Sequence, residues 1–180
     1  MEPILKWLSD NKDLVQPLSS LLAIIIGFLS IILTFWTLLT NRRHQRLTLR
    51  PIADISTEDF ENKSSVKIEN KGNGPLIINA FRAIKGTDSK ADLIDWMPEL
   101  PDNLYWSDFH KHIEGSALRP SGSLALVEFK LDKSNAKQRE ARDNIRRTLE
   151  IIDGELDYSD IYEKPMHYPR HSLSWFGRNL

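Results

Sequence analysis

The pattern of apolar and polar positions divides the chain into two parts. Residues 18–40 form an uncharged, almost wholly apolar run, "LSSLLAIIIGFLSIILTFWTLLT". Its 23 residues, at about 1.5 Å each, make about 34 Å of helix, enough to cross a hydrocarbon core of about 30 Å. From Pro51 onward, short runs of alternating polarity are separated by turn residues, which is typical of strands. The pattern predicts a transmembrane helix followed by a β-rich domain.

A signal peptide and a buried core helix are the alternatives for the apolar run. A signal peptide needs a basic segment before a shorter apolar run and a cleavage site of small residues. Here the preceding segment carries Glu2, Asp10 and Asp13, and "TLLTN" is a poor cleavage site. A core helix this apolar on nearly every face is unusual in so small a chain. A spanning helix is the prediction.

Charged residues beside the run predict its direction. Four arginines follow it within ten residues, and only Lys6 and Lys12 precede it. Because cytoplasmic flanks are enriched in Lys and Arg, the C-terminal domain is expected in the cytoplasm and the N-terminus outside the inner (plasma) membrane of a bacterium. Residues 1–17 are then an extracytoplasmic segment on the membrane surface that Pro17 separates from the span, and residues 41–50 are a basic tether.

Small and polar residues within the run follow one helical seam. They recur at spacings of three and four positions, which places them on one side of a helix: Ser20, Ala23, Gly27, Ser30, Thr34 and Thr37. Such a seam favours close helix packing in lipid, hence a homo-oligomer. It also suits the wall of a narrow pore, although no charged residue inside the run marks an ion pathway. In the third interpretation, a monomeric anchor, the hydroxyls bond their own backbone.

The second part of the chain predicts a β-sandwich over residues 51–180. Strands are expected in "PIADIST", "SSVKIEN", "LIINAFRAIK", "SLALVEFKL", "LEIIDGELDYSDIY" and "HSLSWF", with turns at "NKGNGP" and "RPSG". In the third of these strands, strict alternation places Ile77, Asn79 and Phe81 on one face and Ile78 on the other.

Two insertions interrupt this strand pattern. The first is predicted to begin with a short helix near Asp88 or Ser89 that ends before Pro98, followed by a long aromatic loop. The second is predicted to be a helix over 134–149, with Ser134 near its N-cap. Every fourth residue there is apolar, giving a narrow buried stripe of Ala141, Ile145 and Leu149.

The second helix also carries the candidate ligand site. It is basic within an otherwise mildly acidic domain, and its cations suit an anion: Lys137, Arg139, Arg142 and Arg146. Three interpretations remain open: contact with anionic lipid, binding of a phosphate ligand such as a cyclic oligonucleotide, and a solvated helix face. An oligonucleotide also needs aromatic stacking, which Tyr105 and Trp106 of the long loop could supply.

Residue chemistry points away from catalysis. The chain has 180 residues, a net charge of −1 and no cysteine, which excludes disulfides and thiolate chemistry. The nucleophile-elbow, zincin, phosphate-loop and dinucleotide motifs are not found. His110 and His112 could share a metal on a strand, but no third ligand lies at a diagnostic spacing. We expect a non-enzymatic protein without a cofactor or a metal.

The turn sequences carry a resemblance. The segments "VKIENKGNGPLIINAFRAI", "LRPSGSLALVEFKL" and "LDYSDIYEKP" resemble, over about residues 50–165, a β-sandwich module of bacterial single-pass membrane proteins, with its N-x-G-x-G-P turn, its Pro-Ser/Gly turn and its Y-x-D strand end. The architecture is similar to membrane effectors of anti-phage systems, including CRISPR-associated ones. That resemblance implies a sensing domain that binds a cyclic oligonucleotide or a partner, and a helix that oligomerises and perturbs the membrane. The competing hypothesis is a membrane anchor that recruits a cytosolic protein.

Overall fold

The computed structural model describes residues 11–60, 62–101, 104–131 and 136–179. The chain divides into two units, Met1–Leu47 and Thr48–Leu180. Residues 1–10, which hold most of the predicted surface segment, lie outside the described residues.

The first unit is one long helix, α1 (Lys12–Thr48), of 37 residues. It continues through Asn41–Thr48, so the predicted tether is mostly helical. Pro17 does not separate two segments, because it lies inside the helix. As the sixth residue of α1, Pro17 lies beyond the first turn, so it removes the backbone hydrogen bond to the carbonyl of Asp13 and its ring crowds that carbonyl. Among the described residues, α1 alone is long and apolar enough to cross a membrane, with a mean hydropathy of 2.5 and its apolar window wholly exposed.

The second unit consists mostly of antiparallel strands. In chain order they are β1 (Ala53–Phe60), β2 (Lys63–Asn70), β3 (Leu76–Lys85), β4 (Asp88–Lys90), β5 (Asp108–Phe109), β6 (Ala117–Leu118), β7 (Ser123–Lys130), β8 (Asp153–Ser159) and β9 (Pro165–Ser172). One sheet has the order β1-β2-β7-β5. The other has the order β4-β3-β8-β9, with β6 paired to the start of β3.

The two sheets pack face to face. Gly154 of β8 lies opposite Ile55 of β1, so close that an added Cβ would be 3.0 Å from the Ile55 Cδ1 atom. Both sheets contribute to one core of fully buried side chains, including Val66 and Ile68 from the first sheet and Ile78 and Leu156 from the second. The predicted β-rich domain with inserted helices is therefore confirmed.

Two β-bulges change which residues point inward. Between Ile78 and Ala80 of β3, the pairing with β8 shifts by one residue, so Asn79 is extra. The prediction that Ile78 and Phe81 face opposite sides is wrong, because the bulge inverts the alternation and both are buried. On β7 the extra residue is Leu126, which is 1% exposed. A bulge adds core side chains that strict alternation would place in solvent.

The predicted helices differ in outcome. The helix expected from Asp88 or Ser89 to before Pro98 is wrong at its start, because Asp88–Lys90 is the strand β4. Only a short 3₁₀-helix, Leu93–Trp96, follows it. The second helix is confirmed as α2 (Ala136–Glu150), with its apolar stripe buried. Its predicted cap, Ser134, lies outside the described residues.

The last predicted strand is displaced. "HSLSWF" contributes only its first two residues to β9, and Ser174–Asn179 is a 3₁₀-helix that packs on α2. The strand instead begins at Pro165 and contains Pro169. Prolines are tolerated there because β9 lies at the edge of its sheet and one side of its backbone needs no partner strand.

Strand directions define two ends of this domain. The junction end, where the chain leaves α1, holds the segment 49–52 and the turns 71–75, 119–122 and 160–164, because β1, β3, β7 and β9 start there. The far end holds the turns after β1 and β3 and also α2, which lies between the end of β7 and the start of β8.

Asn70 joins the segments of the junction end. Its buried amide nitrogen donates to the carbonyls of Gly74 (2.7 Å), Leu118 (3.1 Å) and Arg119 (3.3 Å). Its side-chain oxygen accepts the backbone N–H groups of Gly72 (3.0 Å) and Ile52 (3.4 Å). The first residue of the N-x-G-x-G-P turn therefore connects three segments that are distant in sequence.

The two glycines of this turn allow a close backbone approach. A Cβ at Gly74 would overlap the carbonyl oxygen of Leu49, and one at Gly72 would overlap that of Arg50. Both positions are buried. Leu49 and Arg50, the two residues after α1, are thus packed against this turn of the domain. The last helical residue, Thr48, directly precedes them.

Candidate functional site

The seam of α1 is exposed along its whole length. All six of its residues lie on the helix surface. Each of its hydroxyls donates to the backbone carbonyl four residues earlier: Ser20 at 3.0 Å, Ser30 at 2.8 Å, Thr34 at 2.7 Å and Thr37 at 2.8 Å. The hydroxyls are therefore satisfied within the helix, as the monomeric interpretation expects, and the seam offers a neighbouring helix small size rather than open donors.

The structure gives Arg146 a different place from the predicted anion site. Its guanidinium Nε lies 2.9 Å from Asp59 Oδ1, and its Nη2 lies 2.6 Å from Asp59 Oδ2. The two side chains are 6% and 0% exposed. Ser64 also donates to Asp59, at 2.9 Å. A guanidinium held on both oxygens of a buried carboxylate is not presented to a ligand, so Arg146 ties α2 to the end of β1.

The other cations of α2 lie on its surface. Lys137 and Arg139 are exposed. Arg142 is 16% exposed, and both its Nε and its Nη2 contact Asp143 Oδ1, at 3.2 and 3.1 Å. The basic surface of α2 is therefore smaller than its sequence suggests.

The predicted aromatic residues form a separate site. Tyr105 and Trp106 lie in a surface groove of about 580 Å³, which we call the aromatic groove. All its lining residues come from positions 94–109: Ile94, Met97, Pro98, Glu99, Leu100, Leu104, Tyr105, Trp106 and Phe109. None of the cations of α2 lines this groove, so the structure does not bring the two halves of the predicted nucleotide site together there.

Contacts with both sheets hold the aromatic groove in place. The Trp96 indole nitrogen donates to the Ala83 carbonyl at 3.0 Å. Trp106 packs edge-on against Phe129, with ring centroids 5.9 Å apart. Ser107 bonds the backbone of Glu128 and Lys130, at the far-end half of β7. Tyr105 remains 79% exposed and Phe109 44% exposed, so aromatic surface is presented on a fixed framework.

The described side chains that line this groove are mostly apolar, and backbone groups and Glu99 add polar surface. Glu99 is the only charged residue among its described lining residues. A phosphate ligand needs cations or clustered N–H donors, and this lining offers an acid instead. Apolar side chains of a partner, with a nearby cation for Glu99, match the groove better.

His110 and His112 do not converge on a shared ligand. The His110 Nδ1 atom lies 3.0 Å from the Ala125 carbonyl oxygen. His112 is exposed, and its ring lies 3.6 Å from Asp92, which also accepts the His112 backbone N–H. Within the described part of the chain, no three His, Asp or Glu side chains are placed to hold a metal ion.

Sequence reasoning missed a charged cluster on the outer face of the first sheet. Lys63 and Lys67 each contact Glu58, at 2.6 and 3.2 Å, and Glu128, at 3.3 and 3.5 Å. The hydrogen bond from Lys63, with those from Ser65 and Lys67, lowers the pKa of Glu58 to about 2. Alternation of charged residues in β2 was the available signal, but the partner on β1 depends on strand register.

Comparisons with protein-family models, curated proteins and solved structures found no match to this chain. Fold and site together define a class: a long apolar helix followed by a two-sheet antiparallel domain that carries a surface groove.

Proposed function

We propose that this protein is a non-enzymatic, single-pass membrane protein whose sandwich domain recruits a cytosolic protein through the aromatic groove. In this proposal α1 spans the plasma membrane with the N-terminus outside. The length and hydropathy of α1 support the span. The arginines at 42, 43, 46 and 50 support a cytoplasmic domain, because basic residues concentrate on that side.

The observation that carries the proposal is the aromatic groove itself. Its framework is fixed on both sheets, while Tyr105 and Phe109 stay exposed at its surface. Exposed aromatic residues on rigid elements are enriched where proteins bind proteins, since they contribute much contact area at a small entropic cost. The groove also lies toward the far end of the domain, where Ser107 bonds Lys130 at the end of β7.

Protein recruitment is better supported than nucleotide sensing for two reasons. Arg146, one of the four cations of the predicted anion site, is paired with Asp59. The aromatic residues that would stack bases lie beside Glu99 rather than beside arginine. To bind a cyclic oligonucleotide, α2 would have to act without the guanidinium of Arg146 and without aromatic residues beside its cations.

A photo-crosslinker at Tyr105 tests the proposal in cells. We expect benzoylphenylalanine at this position to yield one discrete adduct, and the identified protein to bind the purified full-length chain. Phe60 is the matched control, because it is an aromatic residue, 60% exposed, on the opposite edge of the same sheet. Phe109→Ala should weaken direct binding of the identified protein. Equal adducts at 105 and 60, or unchanged binding by Phe109→Ala, would contradict the proposal.

The second candidate function is a membrane effector. The exposed seam favours it, because six small or hydroxylated residues with internally satisfied hydroxyls allow close packing between copies of α1. Replacing residues 18–40 with an unrelated apolar helix separates the two functions. Recruitment survives that exchange, whereas an effector loses its ability to permeabilise the membrane.

A further inference from the structure

The junction end exposes large apolar side chains beside cations. Ile52, Ile161 and Tyr162 are 53%, 45% and 47% exposed. The exposed cations of this end are Arg50, Arg119 and Lys164, with Lys71 paired to Asp54 and Glu69. Glu163 is the exposed acid in the same turn as Ile161. At this end exposed cations outnumber the exposed acid, Glu163, beside exposed apolar side chains, and this combination suits a partner that is apolar and anionic.

A buried carboxylate fixes the turn that presents these residues. Asp160 is 6% exposed, and its Oδ1 atom accepts the backbone N–H groups of Tyr162 (2.8 Å) and Lys164 (3.0 Å). The Asp160 carbonyl oxygen accepts the N–H of Glu163 at 3.0 Å. Since three bonds hold the turn, the exposure of Ile161 and Tyr162 belongs to a defined conformation.

In the chain, this end of the domain directly follows α1. Leu49 and Arg50 pack against the glycines of the 71–75 turn directly after the last helical residue, Thr48. If 18–40 spans the bilayer, as the proposed function requires, the helical residues Asn41–Thr48 separate the junction end from the span by about 12 Å of helix. A separation of about 12 Å is about one to two Debye lengths, so the headgroup charge still acts on the cations of the junction end.

We propose that the junction end contacts an anionic membrane surface. Ile161 and Tyr162 enter the interfacial layer, where aromatic and aliphatic side chains of this size are favoured. Arg50, Arg119 and Lys164 pair with lipid phosphates and carboxylates. The inference rests on the proposed span and adds a second contact between the protein and the membrane. It also moves the predicted lipid contact from α2, which lies at the far end, to the end where the chain leaves α1.

Single-cysteine labelling tests this contact, because the chain contains no cysteine of its own. The full chain is placed in nanodiscs of phosphatidylcholine and phosphatidylserine that contain headgroup-nitroxide lipid. A fluorophore at Ile161→Cys is compared with one at Ile151→Cys. The second position is the matched control, since it is the same residue type, 51% exposed, at the far end. We expect strong quenching at 161 and little at 151. Equal quenching at both positions, or stronger quenching at 151, would overturn the proposal.

Charge removal tests the electrostatic part. Arg119→Gln combined with Lys164→Gln should reduce quenching of the label at 161 in the anionic discs, as should discs of phosphatidylcholine alone. Unchanged quenching in both cases would remove the role of anionic lipid and overturn the proposal as stated. Circular dichroism checks that the variants keep the wild-type fold.

A third label separates this inference from the span. Phe28→Cys lies in the apolar run, away from the seam, and a nitroxide deep in the acyl chains should quench it strongly. Quenching at 28 without quenching at 161 overturns only the contact at the junction end. Absence of quenching at 28 overturns the proposed span and this inference with it.

Discussion

Arg146 of α2 and Asp59 of β1 form a buried two-pronged ion pair, with Nε–Oδ1 and Nη2–Oδ2 distances of 2.9 and 2.6 Å. The two residues are 87 positions apart in the chain. Their pairing attaches the inserted helix to the far end of the first sheet. The sequence predicts Arg146 as part of a binding surface, whereas in the fold its side chain is buried and holds α2 against β1.

Removing one partner of this pair should be costly. Arg146→Met leaves the Asp59 carboxylate buried without its counter-charge, so we expect a loss of about 3–5 kcal/mol in the free energy of unfolding. Urea unfolding of the full chain in detergent, followed by tryptophan fluorescence, measures it. Arg139→Met on the exposed face of the same helix is the control, with an expected change within about 0.5 kcal/mol.

The double variant Asp59→Leu with Arg146→Met refines this test. Replacing both charges with apolar side chains should recover most of the stability that the single variant loses, because neither charge then remains buried alone. Equal, small losses for Arg146→Met and Arg139→Met would contradict the buried pair.

Replacing the amide of Asn70 with a carboxylate of the same shape should destabilise the domain. Asn70→Asp removes the N–H donors that serve three carbonyls and places a negative charge 2.7 Å from the Gly74 oxygen. We expect a loss of at least about 2 kcal/mol in stability. Asn73→Asp, an exposed position in the same turn, should leave the thermal midpoint nearly unchanged. Thermal denaturation of both variants decides the matter, and similar midpoints would show that the Asn70 amide is dispensable.

Stability should fall in acid through Glu58. Its pKa is lowered from 4.5 to about 2 by the hydrogen bond from Lys63, with those from Ser65 and Lys67. A carboxyl group with a depressed folded-state pKa stabilises the fold above its unfolded pKa, and this contribution is lost as the pH falls through the folded value. The loss attributable to Glu58 therefore lies between about pH 4.5 and pH 2.

Comparison of urea midpoints across this pH range tests the assignment. Glu58→Gln should have lower stability at neutral pH and a shallower decline in acid than the wild-type protein. Glu163→Gln, in the exposed turn at the junction end, is the control and should keep the wild-type slope. An unchanged slope in Glu58→Gln would assign the acid sensitivity to other carboxylates.

Self-association of α1 should depend on the seam. Ser30→Leu places a bulky side chain where close packing needs a small one, so we expect association in detergent to weaken at least about tenfold, or about 1.4 kcal/mol. Thr40→Leu is the control, because Thr40 is a hydroxyl residue of the same helix that is exposed and lies off the seam at 3.6 residues per turn. Energy transfer between labelled chains measures both. Equal weakening by the two substitutions would mean that the seam is not the contact face.

Prediction from sequence succeeded where the signal is local. The apolar run, the stripe of α2 and the strands on either side of the "NKGNGP" turn depend on periodicity and turn chemistry within a few residues. It failed where a long-range partner overrides the local pattern. Asp88–Lys90 reads as a helix start by composition, but its pairing with Ala83–Lys85 makes it a strand. The bulge at Asn79 likewise depends on register with β8, which periodicity cannot reveal.

The candidate site divides in the same way. The sequence identified Tyr105, Trp106 and the cations of α2 as notable residues, but it could not place them relative to each other. In the fold, Tyr105 and Trp106 line a groove with Glu99, whereas Arg146 is buried against Asp59. Which charges are exposed depends on contacts across 87 residues of chain.

By itself, the sequence determined the long apolar helix, the basic flank after it and the β-rich character of the rest, because hydrophobic periodicity and turn residues act over short distances. Only the tertiary structure decided which residues the domain presents. Strand register set the bulges and the Asn70 network, and strand direction set the two ends of the antiparallel domain. Packing of α2 buried one arginine against Asp59, 87 residues away in the chain, because a charge is buried at tolerable cost only where a specific partner meets it.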